Sequence, residues 1–216
     1  MSDRNNLGFT LAEVLLTLTI VGIVSSMVIP GVVQDTQNLH LKTAWKKEYA
    51  SLSQATKRLI MEYEIPSTSS ATIMDGFGNY LNVAKKCTGT DYSCWHLAGY
   101  WKTIGNVPIS SGLSYTPAYI LNDGSLVSWF NYSGGVCSSQ AAVGTSICNV
   151  IVVDINGFKG PNKAGYDIFA ATVFNNRLVP NGPLTDYNDC NRASTSSSNT
   201  SAGYGCSSKA ITSETY

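Results

Sequence analysis

Phe9 to Val33 reads FTLAEVLLTLTIVGIVSSMVIPGVV, 25 residues with one ionisable side chain, Glu13. As a helix it would extend about 37 Å at 1.5 Å per residue. A bilayer hydrocarbon core is roughly 30 Å thick and takes about 20 apolar residues. The segment therefore has the length and composition of a membrane span. A core helix of a 216-residue chain is rarely apolar on every face over so many turns. A secretory signal peptide has a shorter apolar core, roughly 7–15 residues, and then a small-residue cleavage site. This run instead ends Ile29-Pro30-Gly31-Val32-Val33. A plain anchor explains the length but not Glu13, because a carboxylate at the centre of a membrane helix costs about 2.5–3.5 kcal/mol.

Gly8-Phe9-Thr10-Leu11-Ala12-Glu13 and the apolar run after it resemble the prepilin signal of type IV pilins and type II secretion pseudopilins. Gly8 and Phe9 stand where that family is cut, and Glu13 is the fifth residue after the cut. Gly22 and Pro30 occupy positions where many pilins carry a helix-loosening Gly and Pro. The leader departs slightly from the family, because Asp3 offsets Arg4, and Lys42, Lys46 and Lys47 lie beyond the span. The resemblance implies cleavage after Gly8 by a prepilin peptidase and N-methylation of Phe9. It implies a single-pass subunit of the bacterial inner membrane with a periplasmic head. An assembly platform would then move it into a filament with copies of itself and other pilins. Glu13 lies four residues from Phe9, on the same helix face. In a filament it would meet the amine of a neighbour, so that a subunit at the wrong height buries a lone charge. Pro30 removes a backbone donor, and Gly22 lowers helix propensity by about 1 kcal/mol relative to Ala, so Gly22 to Pro30 is expected to bend or loosen.

Beyond the span, Leu41, Trp45, Tyr49, Leu52, Thr56, Leu59 and Tyr63 recur at helical spacing and form one stripe. The helix is expected to continue to about Glu64 and to stop before Pro66 and the polar run Ser67 to Ser70. Four strand-like segments follow: Ser114 to Leu121, Ser125 to Tyr132, Ile147 to Ile155 and Asp167 to Phe174. Asn122-Asp123-Gly124 marks a hairpin between the first two. The expected fold is α+β, a long N-terminal helix packed on an antiparallel sheet of about four strands, which is also the pilin plan. Its parts are a leader (1–8), a membrane or filament-core segment (9–33), a periplasmic helix half (34–65) and a globular head with disulfide-bonded loops (66–216).

Acids and bases balance at 14 each. No nucleic-acid partner is expected, because phosphate neutralisation needs a clustered cationic surface. Residues 67–216 hold 8 acids and 8 bases, a weakly charged surface that suits packing against copies of itself. The six cysteines, Cys87, Cys94, Cys137, Cys148, Cys190 and Cys206, all follow the span, as disulfides on an exported side would. Six cysteines allow fifteen pairings. The nearest-neighbour set, Cys87–Cys94, Cys137–Cys148 and Cys190–Cys206, is preferred because each bond closes a Gly- or Ser-rich loop. Closing a 15-residue loop is worth about 3 kcal/mol in the chain-entropy model. Zinc has no support, since Cys-x-x-Cys is absent and the histidines are His40 and His96.

No cofactor is expected. Asp154, Asn156 and Asp167 are a calcium candidate, but the loop spacing fails, with Gly165 at the twelfth position from Asp154. A tight strand connection explains them as well. No phosphate loop, Gly-x-Ser-x-Gly or His-Glu-x-x-His occurs, so an enzyme is not expected. The competing reading is an exported binding module that uses a prepilin-like anchor, with Trp95, Tyr100, Trp101 and Trp129 as candidate binding aromatics.

Overall fold

The computed structural model describes residues 9–62, 70–88, 91, 93–109, 118–130, 138–139, 146–185, 189–191 and 202–212. Gly8 and the leader, Tyr63, Glu64, residues 114–117 and Cys137 lie outside the described residues. The chain forms two compact units, one ending at His40 and the other beginning at Leu41. Helix α1 (Leu11–Glu62) contributes to both.

In the first unit α1 runs unbroken through Gly22 and Pro30. Its apolar side chains from Leu11 to Val33 are exposed on all sides. The most apolar 18-residue window has a mean hydropathy of 2.1 and no buried residue. In water such a surface would be strongly unfavourable, so this half of the helix is shaped for an apolar surrounding. Three hydroxyls within it bond to carbonyls of the helix itself. Thr17 donates to Val14 O at 2.9 Å, Thr19 to Leu15 O at 2.8 Å and Ser26 to Ile23 O at 2.7 Å. Each of these three hydroxyls is thereby satisfied within the segment, as hydrocarbon requires.

The second unit is built on an antiparallel sheet. Its strands are β1 (Val83–Cys87), β2 (Ala118–Leu121), β3 (Leu126–Phe130), β4 (Ser138–Ser139), β5 (Ser146–Asp154), β6 (Ile168–Phe174) and β7 (Leu178–Pro180). Six of them run in the order β1-β2-β3-β5-β6-β7, and the two-residue β4 pairs with β5 off that path. The α+β plan matches the sequence expectation, but the sheet has more strands than the four expected. β1 and β7 are short edge strands, and β1 (VAKKC) has too little apolar alternation to read as a strand. Two helices also escape the sequence pattern, α2 (Ser70–Tyr80) and α3 (Cys206–Thr212). The Asn122-Asp123-Gly124 hairpin forms as its chemistry demands. Gly124 has φ +90°, and Asp123 accepts from the Ser125 hydroxyl at 2.7 Å.

The sheet is covered on both faces. Odd positions of β5 and β6 (Ile151, Val153, Phe169, Ala171, Val173) join Trp45, Leu52 and Leu59 of α1 and Phe77 of α2 in one cluster. Even positions (Val150, Val152, Ile168, Ala170) join Trp95, Trp101, Tyr204 and the Cys87–Cys94 pair in a second. This two-sided burial explains why Val150 to Val153 is apolar without alternation. On the helix side Trp45 stacks on Phe169 at 5.2 Å and donates its indole N–H to Ser207 O at 3.0 Å. On the opposite side the cover is mostly irregular chain between Cys94 and Ile109, pinned to β1 by the Cys87–Cys94 disulfide. A second disulfide, Cys190–Cys206, holds the start of α3. Cys148 is also disulfide-bonded, and its expected partner Cys137 lies outside the described residues.

Candidate functional site

The N-terminal segment carries the residues that the sequence singles out. Thr10 precedes the first turn of α1 and Glu13 lies in it. The Glu13 carboxylate accepts from the Thr10 backbone N–H at 2.8 Å and the Thr10 hydroxyl at 2.9 Å. In return the Glu13 N–H donates to Thr10 Oγ1 at 3.3 Å. This is a reciprocal capping box, in which two otherwise unpaired donors of the first turn find acceptors. The signal was present in the sequence as Thr10-x-x-Glu13, and the functional reading of Glu13 obscured it. Glu13 therefore has a local structural task besides the assembly role implied by the resemblance. Phe9 is almost fully exposed beside it.

The calcium candidates come together around a turn. Asp154 Oδ2 lies 2.8 Å from His96 Nε2, and its Oδ1 accepts from the Asn156 N–H at 3.1 Å. Asp167 accepts from the N–H groups of Asn162 at 2.8 Å and Lys163 at 2.6 Å. The Asn156 side-chain amide donates to Gly160 O at 3.2 Å. The two carboxylates thus hold the β5–β6 connection through backbone amides and a histidine. Among the described residues no group of three or more His, Cys, Asp or Glu forms a metal-sized cluster. Burial, and then the nearby Asp167, push Asp154 well above the usual carboxylate range, while the amides of Asn156 and Gly157 pull it down. Burial pushes His96 down to about 4, although Asp167 favours its cation. No motif or spacing links His96 to Asp154, which lie 58 residues apart in the chain.

His96 borders a cleft of about 670 Å³ on the irregular face of the sheet, lined by Trp95, Leu97, Tyr100 and Phe158 and rimmed by Asp91, Ser93 and Asn162. That volume falls within the usual small-molecule range of roughly 300–1,000 Å³. Of the four candidate aromatics, Trp95, Trp101 and Trp129 are buried in the two core clusters. Tyr100 is 71% exposed, and Phe158, which sequence reasoning passed over, is 53% exposed. The Ser93 hydroxyl hydrogen-bonds Asp91 at 2.6 Å and Lys85 at 2.5 Å. These bonds fix the loop rather than activate an alcohol.

Another buried acid lies against the hairpin. Glu48 of α1 is 5% exposed, and its Oε2 has no hydrogen-bond partner. Burial, and a hydrogen bond to Asp123, hold it up at about 7. Burial alone would raise Asp123, but bonds from Ser125, Lys47 and Glu48 bring it down to about 2. An acid whose pKa is higher folded than unfolded binds more protons when folded. Its stabilisation is complete below about 4.5 and fades as pH rises through about 7. Thermal unfolding of the full chain in detergent at pH 5 and pH 8 is therefore expected to show a fall in Tm that Glu48→Gln reduces. Equal falls in both proteins would remove Glu48 as the cause.

No curated protein and no solved structure matches the chain. One family model does, at residues 3–29, across Phe9, the Thr10–Glu13 box and most of the apolar run. The chain carries there the prokaryotic N-terminal methylation motif, the signal of type IV pilins and pseudopilins.

Proposed function

We propose that this protein is a structural subunit, a pilin or pseudopilin, of a type IV pilus or a type II secretion pseudopilus. Prepilin peptidase cuts after Gly8, and Phe9 becomes the methylated amino terminus. The subunit waits in the inner membrane with residues 34–216 on the periplasmic side, and the assembly platform then draws it into the filament. The observation that carries this reading is the methylation motif running directly into the apolar first part of α1, whose most apolar 18-residue window has no buried residue. Disulfides beyond the span fit an exported head. In the filament, Glu13 sets register against a neighbour's amine, and Gly22 and Pro30 let the helix flex as subunits pack.

Mass spectrometry of the sheared surface fraction tests the proposal. The expected amino terminus is Phe9 bearing one methyl group. A chain that keeps residues 1–8, or one recovered as a soluble monomer, would refute it. The second reading, an anchored exported binding module, draws its support from the open aromatic cleft. It predicts an uncleaved chain that stays in the inner membrane.

A further inference from the structure

We propose that Glu48 of α1 and Asp123 of the β2–β3 hairpin form a pH-operated latch, closed while Glu48 keeps its proton and released at the hairpin tip when the proton leaves. Glu48 is buried, and its Oε2 has no hydrogen-bond partner. Its proton is what ties it to Asp123, as the donor of a carboxyl–carboxylate hydrogen bond. Asp123 is held by other bonds as well. Its Oδ1 accepts from the Ser125 N–H at 3.2 Å and the Ser125 hydroxyl at 2.7 Å, and its Oδ2 takes the Lys47 ammonium at 3.0 Å. Lys47 is thus committed to Asp123. Tyr80 is the other titratable group among the described residues that line the shared cavity of about 290 Å³. Loss of the Glu48 proton therefore sets two carboxylates against each other with one cation between them, and one of the two is cut off from water.

An ionised Glu48 must reach water, and the hairpin yields more readily than the helix. On α1, Trp45 and Leu52 lie one turn to either side of Glu48, and both are fully buried. On the hairpin, Asn122, Asp123 and Gly124 are exposed. Backbone bonds close the tip, from the Leu121 N–H to Ser125 O, the Gly124 N–H to Leu121 O and the Asn122 N–H to Asn82 O, each at 2.9 Å. Lifting the tip breaks them and opens the cavity wall formed by Leu121, Asn122 and Asp123. The direction with pH follows from the two acids. Asp123, held at about 2, stays ionised, whereas Glu48, at about 7 while buried, gives up its proton as pH rises. The latch is shut in acid and lets go above neutrality. It stands apart from the filament reading, which rests on Phe9 and Glu13.

Hydrogen exchange of the full chain in detergent, read by mass spectrometry at pH 5 and pH 8, tests the latch. Gln at position 48 stands in for the protonated acid. The ratio of wild-type to Glu48→Gln exchange at each pH removes the chemical dependence of exchange on pH. For the peptide that holds Leu121 to Gly124, this ratio is expected to rise by about tenfold or more between the two pH values, as linkage to an acid raised in the closed form requires. Peptides from β5 and β6 should keep their ratio, which separates a local opening from loss of the whole unit. Repeated in an Asp123→Asn background, the comparison should show a smaller rise, because the facing charge is gone. A ratio that stays constant with pH, one that rises equally across the sheet, or one that Asp123→Asn leaves as large would overturn the proposal.

Discussion

Glu13→Val is expected to reduce surface filaments at least tenfold while leaving cleavage after Gly8 intact. The substitution removes a carboxylate from a segment that is otherwise apolar from Phe9 to Val33. It also removes the Glu13 half of the capping box, the acceptor for the Thr10 N–H and hydroxyl, while Thr10 Oγ1 can still accept from the N–H of residue 13. Glu13→Gln separates the two effects. Gln still accepts from Thr10 and keeps the cap, but it carries no charge to meet a neighbour's amine. If charge sets the register, the Gln variant assembles as poorly as the Val variant. If it forms filaments of normal number and length, Glu13 is a helix cap and the assembly role is wrong. Both variants are read by electron microscopy and by immunoblot of the sheared fraction against the membrane fraction.

Trp45→Ala is expected to destabilise the unit from Leu41 to Tyr216 by about 3–5 kcal/mol, the cost of deleting a fully buried large aromatic. Trp45 is the point where α1 meets β6 and α3 together, through the Phe169 stack and the Ser207 carbonyl. Its removal leaves a cavity and an unpaired acceptor at one place. Against a total stability of roughly 5–15 kcal/mol this is a large fraction. Urea unfolding of the full chain in detergent measures it. Tyr49→Phe is the comparison, because it loses only the bond to Leu178 O and should cost about 0.5–1.5 kcal/mol. A Trp45→Ala loss under 1 kcal/mol would mean that the helix stripe is not anchored where the packing places it.

The sequence made the long-range plan legible where a single strong period or motif held. The apolar run, the stripe through Trp45, Leu52 and Leu59, and the strands around Asp123-Gly124 each follow from local chemistry. The stripe was incomplete, since Glu48 is buried beside Trp45 although its charge argues for the exposed face. Burial raises its carboxyl to about 7, which weakens the charge held there and which spacing alone does not reveal. The second cover of the sheet was not legible. Trp95, Trp101 and Tyr204 lie in irregular segments with no period, and reach the even positions of β5 and β6 only through long-range folding. The cleft depends on that cover, so its lining could not be assembled from the sequence. Tyr100 was named among candidate aromatics, but nothing distinguished it from the three tryptophans that proved to be core.

Thr17, Thr19 and Ser26 each bond to a carbonyl of their own helix. A rod wired in this way carries its polar contacts with it wherever it goes. A change from one apolar surrounding to another would leave these three bonds intact.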